Sequence, residues 1–488
     1  MFKSYNFFFF IVIWVLSCNQ AENIKIADGK VEGSLSKHTG VTTKMVKLAR
    51  AKTSLGLNDL YILAVEQTER IAIKEEALTQ AKAQKHIAIA SWIPSLSFRH
   101  NRNYTIPNHD AHDREVRNRD NLVNAILNPT PQAGTTTTTS STISQLNPSA
   151  LPGDMLQLTV PVMTGLNEYS AFKNAKELIN VRRYEAEFEA ARLYLELAQL
   201  YFTILQIERS IKVKKDIQKI TKGIVRELKR RVRLGKSRKS ELLNAQSQFA
   251  RVEADLLKTE DNLQTQRASL ATKTGVNPNT PLIEPEEWKS SSLSLEQALK
   301  KVEERADVKA AEYSMKVADS NLTKAWGGHL PTISLNSYYR LPRHNVPHNK
   351  DIFTQFVVQI PLLSAGTITA SVKQAESAKR QAELTLSQTK RMAVEDVQTA
   401  YKGYKNSKGV LSAYREALDA AELSHRVQKQ DYSQQLSTTL DLFNSLNSLH
   451  NAKNDYNTVL LQKELNRIWL GVATGEIPER KSDSKGDD

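Results

Sequence analysis

The chain reads as one plan written twice. Two Thr-Gly stops, Ala271-Thr-Lys-Thr-Gly275 and Gly471-Val-Ala-Thr-Gly475, stand 200 residues apart. At the same offset Thr159-Val-Pro-Val-Met163 lies against Gln359-Ile-Pro-Leu-Leu363, and Lys173-Asn-Ala-Lys176 against Lys373-Gln-Ala-Glu376. Pro161 and Pro278 match Pro361 and Pro478, and no proline falls between either pair. A register held this far marks an internal duplication, and self-similarity constrains architecture before any local propensity does.

Upstream the repeat continues at a new offset. Ala90-Ser-Trp-Ile-Pro94 lies against Gly327-Gly-His-Leu-Pro331, 237 residues on, so the first copy carries 37 extra residues between Pro94 and Pro161. Their content is polar and repetitive, with Asn108-His-Asp-Ala-His-Asp-Arg-Glu115 and a threonine run from Thr135, which reads as a long solvated loop.

Each copy predicts a first helix, roughly Leu57 to Ser91 and Leu295 to Trp326, then two short strands, then a very long helical stretch broken once. The strands declare themselves by period two. Leu156, Leu158, Val160 and Val162 share one face and Gln157 and Thr159 the other; Phe356, Val358, Ile360 and Leu362 oppose Gln355, Val357 and Gln359. Each strand is about ten residues, the length a tilted strand needs to cross a bilayer. In the long stretch Leu193, Leu197, Leu200, Ile204, Ile207 and Ile211 step by four and three, as a coiled-coil seam does, and Leu242, Ala245, Phe249, Val252 and Leu256 repeat the step. From Gly165 to Gly235 a helix would run about 105 Å, longer than a compact domain requires.

The expected organisation is a signal segment over 1–18, an N-terminal extension over 19–56, a first repeat over 57–275, a linker over 276–294, a second repeat over 295–475 and a disordered tail over 476–488. In the first repeat the strands are 93–105 and 154–163, around the loop 106–153, and the coiled-coil hairpin is 165–275. In the second they are 330–341 and 352–363, and the hairpin is 366–475.

Phe7 to Leu16 is too short to span a membrane as a helix but suits a secretory signal, and no later apolar run approaches eighteen residues. The expectation is a chain beyond the inner membrane, whose only route into a bilayer is as β-strands. Cys18, the sole cysteine, excludes an intrachain disulfide and any thiolate cluster. Val15-Leu-Ser-Cys18 resembles a lipoprotein box, which would make Cys18 the lipidated first residue of the mature chain. The net charge of +14 does not point to nucleic acid, because the basic residues follow helical segments without interleaved stacking aromatics.

Four strands per chain cannot close a barrel, since the smallest membrane barrels have eight, but three chains would supply twelve. The alternative is a periplasmic coiled-coil scaffold or adaptor lipoprotein with a small soluble sheet. The duplicated order of Pro, strand, loop, strand, Pro, long coils, marked turns and Thr-Gly stop resembles the TolC-type outer-membrane efflux proteins from about Leu57 to Gly475. The resemblance implies a mainly α fold with a membrane β-barrel: a homotrimer whose twelve strands cross the outer membrane and whose antiparallel coiled-coil helices form a periplasmic tunnel. It implies an exit duct of a tripartite efflux or type I secretion system, with a periplasmic adaptor, an inner-membrane pump and outer-membrane lipid as partners.

By the same resemblance the two turns, Arg233-Leu-Gly-Lys-Ser-Arg-Lys-Ser-Glu241 and Tyr432-Ser-Gln-Gln-Leu-Ser-Thr-Thr-Leu-Asp441, form the periplasmic gate. Ser240, Glu241 and Tyr432 match gate residues, and Asp441 an acidic ring, which would concentrate negative potential as in cation pores. Leu234, Gly235, Lys236, Ser237, Gln435, Leu436 and Ser437 would meet the adaptor. Ser437 stands where the pattern can place a locking arginine, and Lys236, Arg238 and Lys239 where the first turn is often apolar. The residue-level alternative is that Glu241 and Asp441 are helix-N-terminal carboxylates favoured by the macrodipole. Arg209 to Lys239 is heavily basic, including Arg226, Lys229, Arg230, Arg231, Arg233 and Arg238, and is either an acidic-partner surface or a solvated face. His109, His112, Asp110 and Asp113, and His344 with His348, read as solvated loop residues and not metal ligands. No nucleophile elbow, phosphate loop or HExxH is present, so neither enzyme nor cofactor is expected.

Overall fold

The computed structural model describes residues 41–101, 153–284, 293–341, 352–434 and 436–476. Cys18 and its signal segment, the loop histidines, Gln435 and the tail beyond Glu476 lie outside the described residues. The elements in order are α1 (Thr43–Ala51), α2 (Leu57–Gln67), α3 (Glu69–Ala90), β1 (Ser95–Asn101), β2 (Gly153–Thr164), α4 (Asn167–Arg233), α5 (Lys239–Thr274), α6 (Leu295–Lys300), a 3-10 turn (Lys301–Glu304), α7 (Ala306–Gly327), β3 (Thr332–Arg340), β4 (Ile352–Gln359), α8 (Thr367–Ser433) and α9 (Thr439–Ala473). No described helix is long and apolar enough to cross a membrane.

The chain divides into two units, Lys82–Lys176 with Lys316–Arg380, and the rest. The first of these holds one antiparallel sheet in the order β1-β2-β3-β4. Phe98 pairs with Leu156, Leu158 with Ser337 and Leu335 with Phe356. The Gln157 amide donates to Thr159 Oγ1 at 3.3 Å, which places the two on one face as period two requires. The β2–β3 register shifts between Pro161 and Met163, a bulge beside a residue that has no N–H to give the ladder. The sheet is open at both ends, and Leu96, Phe98, Val162, Ile352, Phe356 and Val358 are exposed. Each return from strand to long helix passes through two left-handed residues, Gly165-Leu166 in one case and Ala365-Gly366 in the other. Gly165 packs so closely on Gly327 that a Cβ on either would strike the other's carbonyl oxygen.

In the second unit the long helices pair into hairpins. Helices α4 and α8 are each 67 residues, and α5 and α9 are 36 and 35. The seam residues Leu193, Leu197, Ile204, Ile207 and Ile211 are buried. Leu193, Leu197 and Ile204 join the main core with Leu60, Tyr61 and Ile71 of the N-terminal helices, Leu270 of α5 and Leu461 of α9. A second core gathers Ala298, Val302 and Val308 against Val397, Tyr404 and Leu470. Helix α5 ends on Gly275 at φ 69°, and Gly475 at φ 81° follows the end of α9, a left-handed stop that glycine adopts without a Cβ penalty.

The first helix of each copy differs from the uninterrupted run expected. Both are broken, at Thr68 (ψ 123°) and at Arg305 (ψ 142°), which stand 237 residues apart. Helix-forming residues flank both positions, so the break comes from tertiary bonds. Thr68 Oγ1 donates to the Lys273 carbonyl at 3.3 Å. Arg305 Nη1 donates to the carbonyls of Ala393 and Ala473 at 3.4 and 3.3 Å, while Nε and Nη2 grip Asp307 at 3.0 and 2.8 Å. Lys273 and Ala473 are themselves 200 residues apart. Each break thus turns a polar side chain onto the matching carbonyl near the end of its copy's last helix.

Candidate functional site at the helix turns

Two helix hairpins turn back at Leu234–Arg238 and Gln434–Thr438, and the chain reverses in the same way at each. Lys236 N–H donates to the Arg231 carbonyl and Leu436 N–H to the Asp431 carbonyl, both at 2.8 Å. These bonds satisfy carbonyls that a helix C-terminus otherwise leaves unpaired. Gly235 takes φ 69° in the first turn, with a fully open surround. Leu234 and Leu436 are exposed.

The carboxylates singled out from sequence close the next helices. Asp441 Oδ2 accepts from Thr438 N–H at 3.0 Å and from Thr438 Oγ1 at 2.6 Å, while Asp441 N–H donates to Thr438 Oγ1 at 3.2 Å. This is a reciprocal capping box. The Thr438 hydroxyl and backbone N–H hold the Asp441 carboxyl below the usual carboxylate range. Glu241 Oε2 accepts from Ser237 Oγ at 2.6 Å. Ser240 is exposed and makes no hydrogen bond among the described residues, and Ser437 Oγ is buried without a partner. Gln435 falls outside the described residues.

The turns meet through Tyr432. The Arg231 guanidinium carbon lies 5.4 Å from the centre of the Tyr432 ring, and Thr439 Oγ1 donates to the Tyr432 hydroxyl at 3.5 Å. Arg231 Nε also donates to Glu227 Oε1 at 3.0 Å. Beneath this contact Leu228, Ala245 and Phe443 form a small core shared by the two hairpins. The structure therefore joins Tyr432 to Arg231 and Asp441 to Thr438, and brings neither carboxylate to the other. Sequence reasoning counted Arg231 within a basic run and did not single it out. Thr438-x-x-Asp441 was legible as a capping box and was passed over.

The profile described as Outer membrane efflux protein matches residues 296–476. The chain belongs to the TolC-type outer membrane efflux protein family.

Among curated relatives, the outer membrane protein TolC of Vibrio cholerae is 26% identical over 262 residues, 51% of this chain and 60% of that protein. Its Escherichia coli counterpart is 23% identical over 259 residues, 49% of this chain and 52% of that protein. The chain thus spans between half and two thirds of the curated relatives it matches. Among solved structures, VceC of Vibrio cholerae covers 86% of this chain and 96% of its own at a TM-score of 0.69 and 17% identity. The Campylobacter jejuni CmeC outer membrane channel covers 89% and 88% at 0.70 and 15%. These likenesses show the same fold, mostly helical with one small antiparallel sheet. Membership of the outer membrane efflux protein family places the sheet in the outer membrane and the long helices in the periplasm. The family is one of transport components without enzymatic activity.

Proposed function

We propose that this chain is the outer-membrane exit duct of a tripartite efflux or type I secretion system. It assembles as a homotrimer, pooling three four-stranded sheets into a twelve-stranded barrel above a periplasmic tunnel of helices. The observation that carries this reading is the sheet: four strands, two open edges and exposed apolar side chains on an outer-membrane chain. Unpaired strand edges do not persist in hydrocarbon, so closure must come from further copies. The 200-residue spacing of matched helices and turns supports an internal duplication.

In this reading the paired turns are the gate. Ser240, Glu241, Tyr432 and Asp441 line it, Arg231 supplies the cation that Ser437 lacks, and Leu234 to Ser437 present the turn surface to a periplasmic adaptor that links the duct to an inner-membrane pump. Cys18 carries lipid and tethers the mature N-terminus to the outer membrane. The test is the particle mass of full-length protein extracted from outer membranes in detergent, followed by planar-bilayer recording. A particle of three chains that conducts is expected. A non-conducting monomer would overturn the proposal.

A further inference from the structure

The shaft of α4 carries a linear row of positive charge. Lys212, Lys215, Lys219, Lys222, Arg226, Lys229 and Arg233 follow one another at steps of three and four, without a gap, and all seven are exposed. An alternation of three and four averages 3.5 residues, the repeat that keeps side chains aligned along a supercoiled partner helix. Seven positions over twenty-one residues run about 32 Å along the axis. Lys215 pairs with Glu260 at 2.8 Å. Lys219, Lys222, Arg226, Lys229 and Arg233 make no ion pair among the described residues. The buried seam of the same helix, Ile211, Ile217, Thr221 and Leu228, runs along another face, so the cations do not hold α4 in its bundle.

The matched stretch of α8 shows that the fold does not require this row. Its positions 200 residues on are Ser412, Arg415, Asp419, Glu422, Arg426, Lys429 and Ser433. Three cations and two anions leave a charge of +1 there, against +7 on α4. Two helices of equal length and matched turns thus differ in charge at the same positions.

We infer that this face of α4 is a docking track for an acidic, heptad-patterned helix of another periplasmic protein. A flat anionic membrane would touch one end of such a row, whereas a helix laid alongside meets all seven positions. A second copy of this chain is a poor occupant: the row repels itself, and the matched face of α8 offers no acidic complement. The track lies on the shaft and not on the turns, and it does not depend on the chain conducting.

The test uses full-length protein in neutral detergent and a fluorescent synthetic four-heptad peptide with glutamate at alternating steps of three and four. A scrambled peptide of identical composition and vesicles containing phosphatidylglycerol are the comparison probes. The patterned peptide is expected to bind at least about tenfold more tightly than the scrambled one, and to weaken steeply as salt screens the row. Lys219→Glu with Arg226→Glu should abolish binding and Lys219→Gln with Arg226→Gln should weaken it, while Arg415→Glu with Lys429→Glu on α8 should leave it intact. Equal affinity for the two peptides would overturn the inference, as would vesicle binding lost in parallel with peptide binding. A change in particle mass on charge reversal would also overturn it, by assigning the face to a second copy.

Discussion

Arg231 and Tyr432 meet face to cation across the two hairpin turns, 5.4 Å apart, although 200 residues of chain separate them. Such contacts contribute about 0.5–1 kcal/mol when exposed. A double-mutant cycle with Arg231→Ala and Tyr432→Leu should return a coupling of that size in the stability of the detergent-extracted particle. In planar bilayers either single variant should lengthen open events. Strictly additive effects with unchanged gating would remove this pair from the gate.

Asp441 combines a structural duty with its place at the turn, and one substitution separates them. Asp441→Asn keeps an oxygen to accept from Thr438 and removes the charge. Blockade of conductance by multivalent cations should weaken in this variant, while the helix content stays at the wild-type level. Because Thr438 depresses the Asp441 pKa, the cap is complete above the ordinary carboxylate range and is lost as pH falls through the lowered value. Hydrogen exchange at the start of α9 should therefore rise only in strong acid.

Arg305 is 8% exposed and binds Asp307, Asp396 and two backbone carbonyls. Burial opposes its charge, and the two aspartates more than compensate, so it stays protonated at every working pH. Arg305→Ala should cost about 3–5 kcal/mol, the range for breaking one side of a buried pair. Thr68→Val, at the matching break, removes one hydrogen bond and should cost about 1 kcal/mol. Thermal midpoints of the two variants would settle the comparison; equal losses would show that the breaks are held by something other than these side chains.

His450 sits between α4, α5 and α9. Lys214, Asp255, Arg251 and Gln248 face it, with Asn447 and Asn454 on its own helix, and Asn454 bonds its Nε2 at 3.1 Å. Burial first, then Lys214, pushes the imidazole below its ordinary 6.5, and Asp255 only partly opposes them. The unfolded chain therefore takes up the proton before the folded one does. This contribution to stability is complete above about pH 6.5 and is lost as pH falls through the lower folded value. Hydrogen exchange around Asn447–Asn454 should accelerate in mild acid, and His450→Gln should flatten that dependence.

Gly165 and Gly366 look alike by φ, at 60° and 79°, but only Gly165 has a backbone pressed against it. Gly366→Ala should cost about 1 kcal/mol, the penalty of the left-handed conformation for an L-residue. Gly165→Ala must also move the Gly327 carbonyl, so the assembled particle should fall apart at distinctly lower temperature. Heat-dependent migration on gels would compare them.

Sequence disclosed what is periodic and local. Gln157 and Thr159 share a face because strands alternate, and Leu193 to Ile211 are buried or half-buried because apolar residues at 3.5 spacing form a seam. The Thr-Gly stops do end at left-handed glycines. What stayed hidden depends on distant partners. The residues around Thr68 and Arg305 favour helix, and only carbonyls some 170 to 200 residues away break it. Arg231 looked like one more cation in a solvated run because nothing local marks its partner as Tyr432. Asp441 was weighed as a pore charge or a macrodipole carboxylate, and its bond to Thr438 gives it a third role that a four-residue motif already spelled out.

The two open edges of the sheet also bear on the life of the chain before it reaches its place. A lone copy displays unpaired backbone and bare apolar strands, the surface on which misassembly and fibre growth begin. Synthesis faster than insertion would then turn a harmless export part into a toxic aggregate. Cells that make this protein must match its output to the capacity of the escort and insertion machinery, and overexpression should trigger envelope stress before any cargo moves.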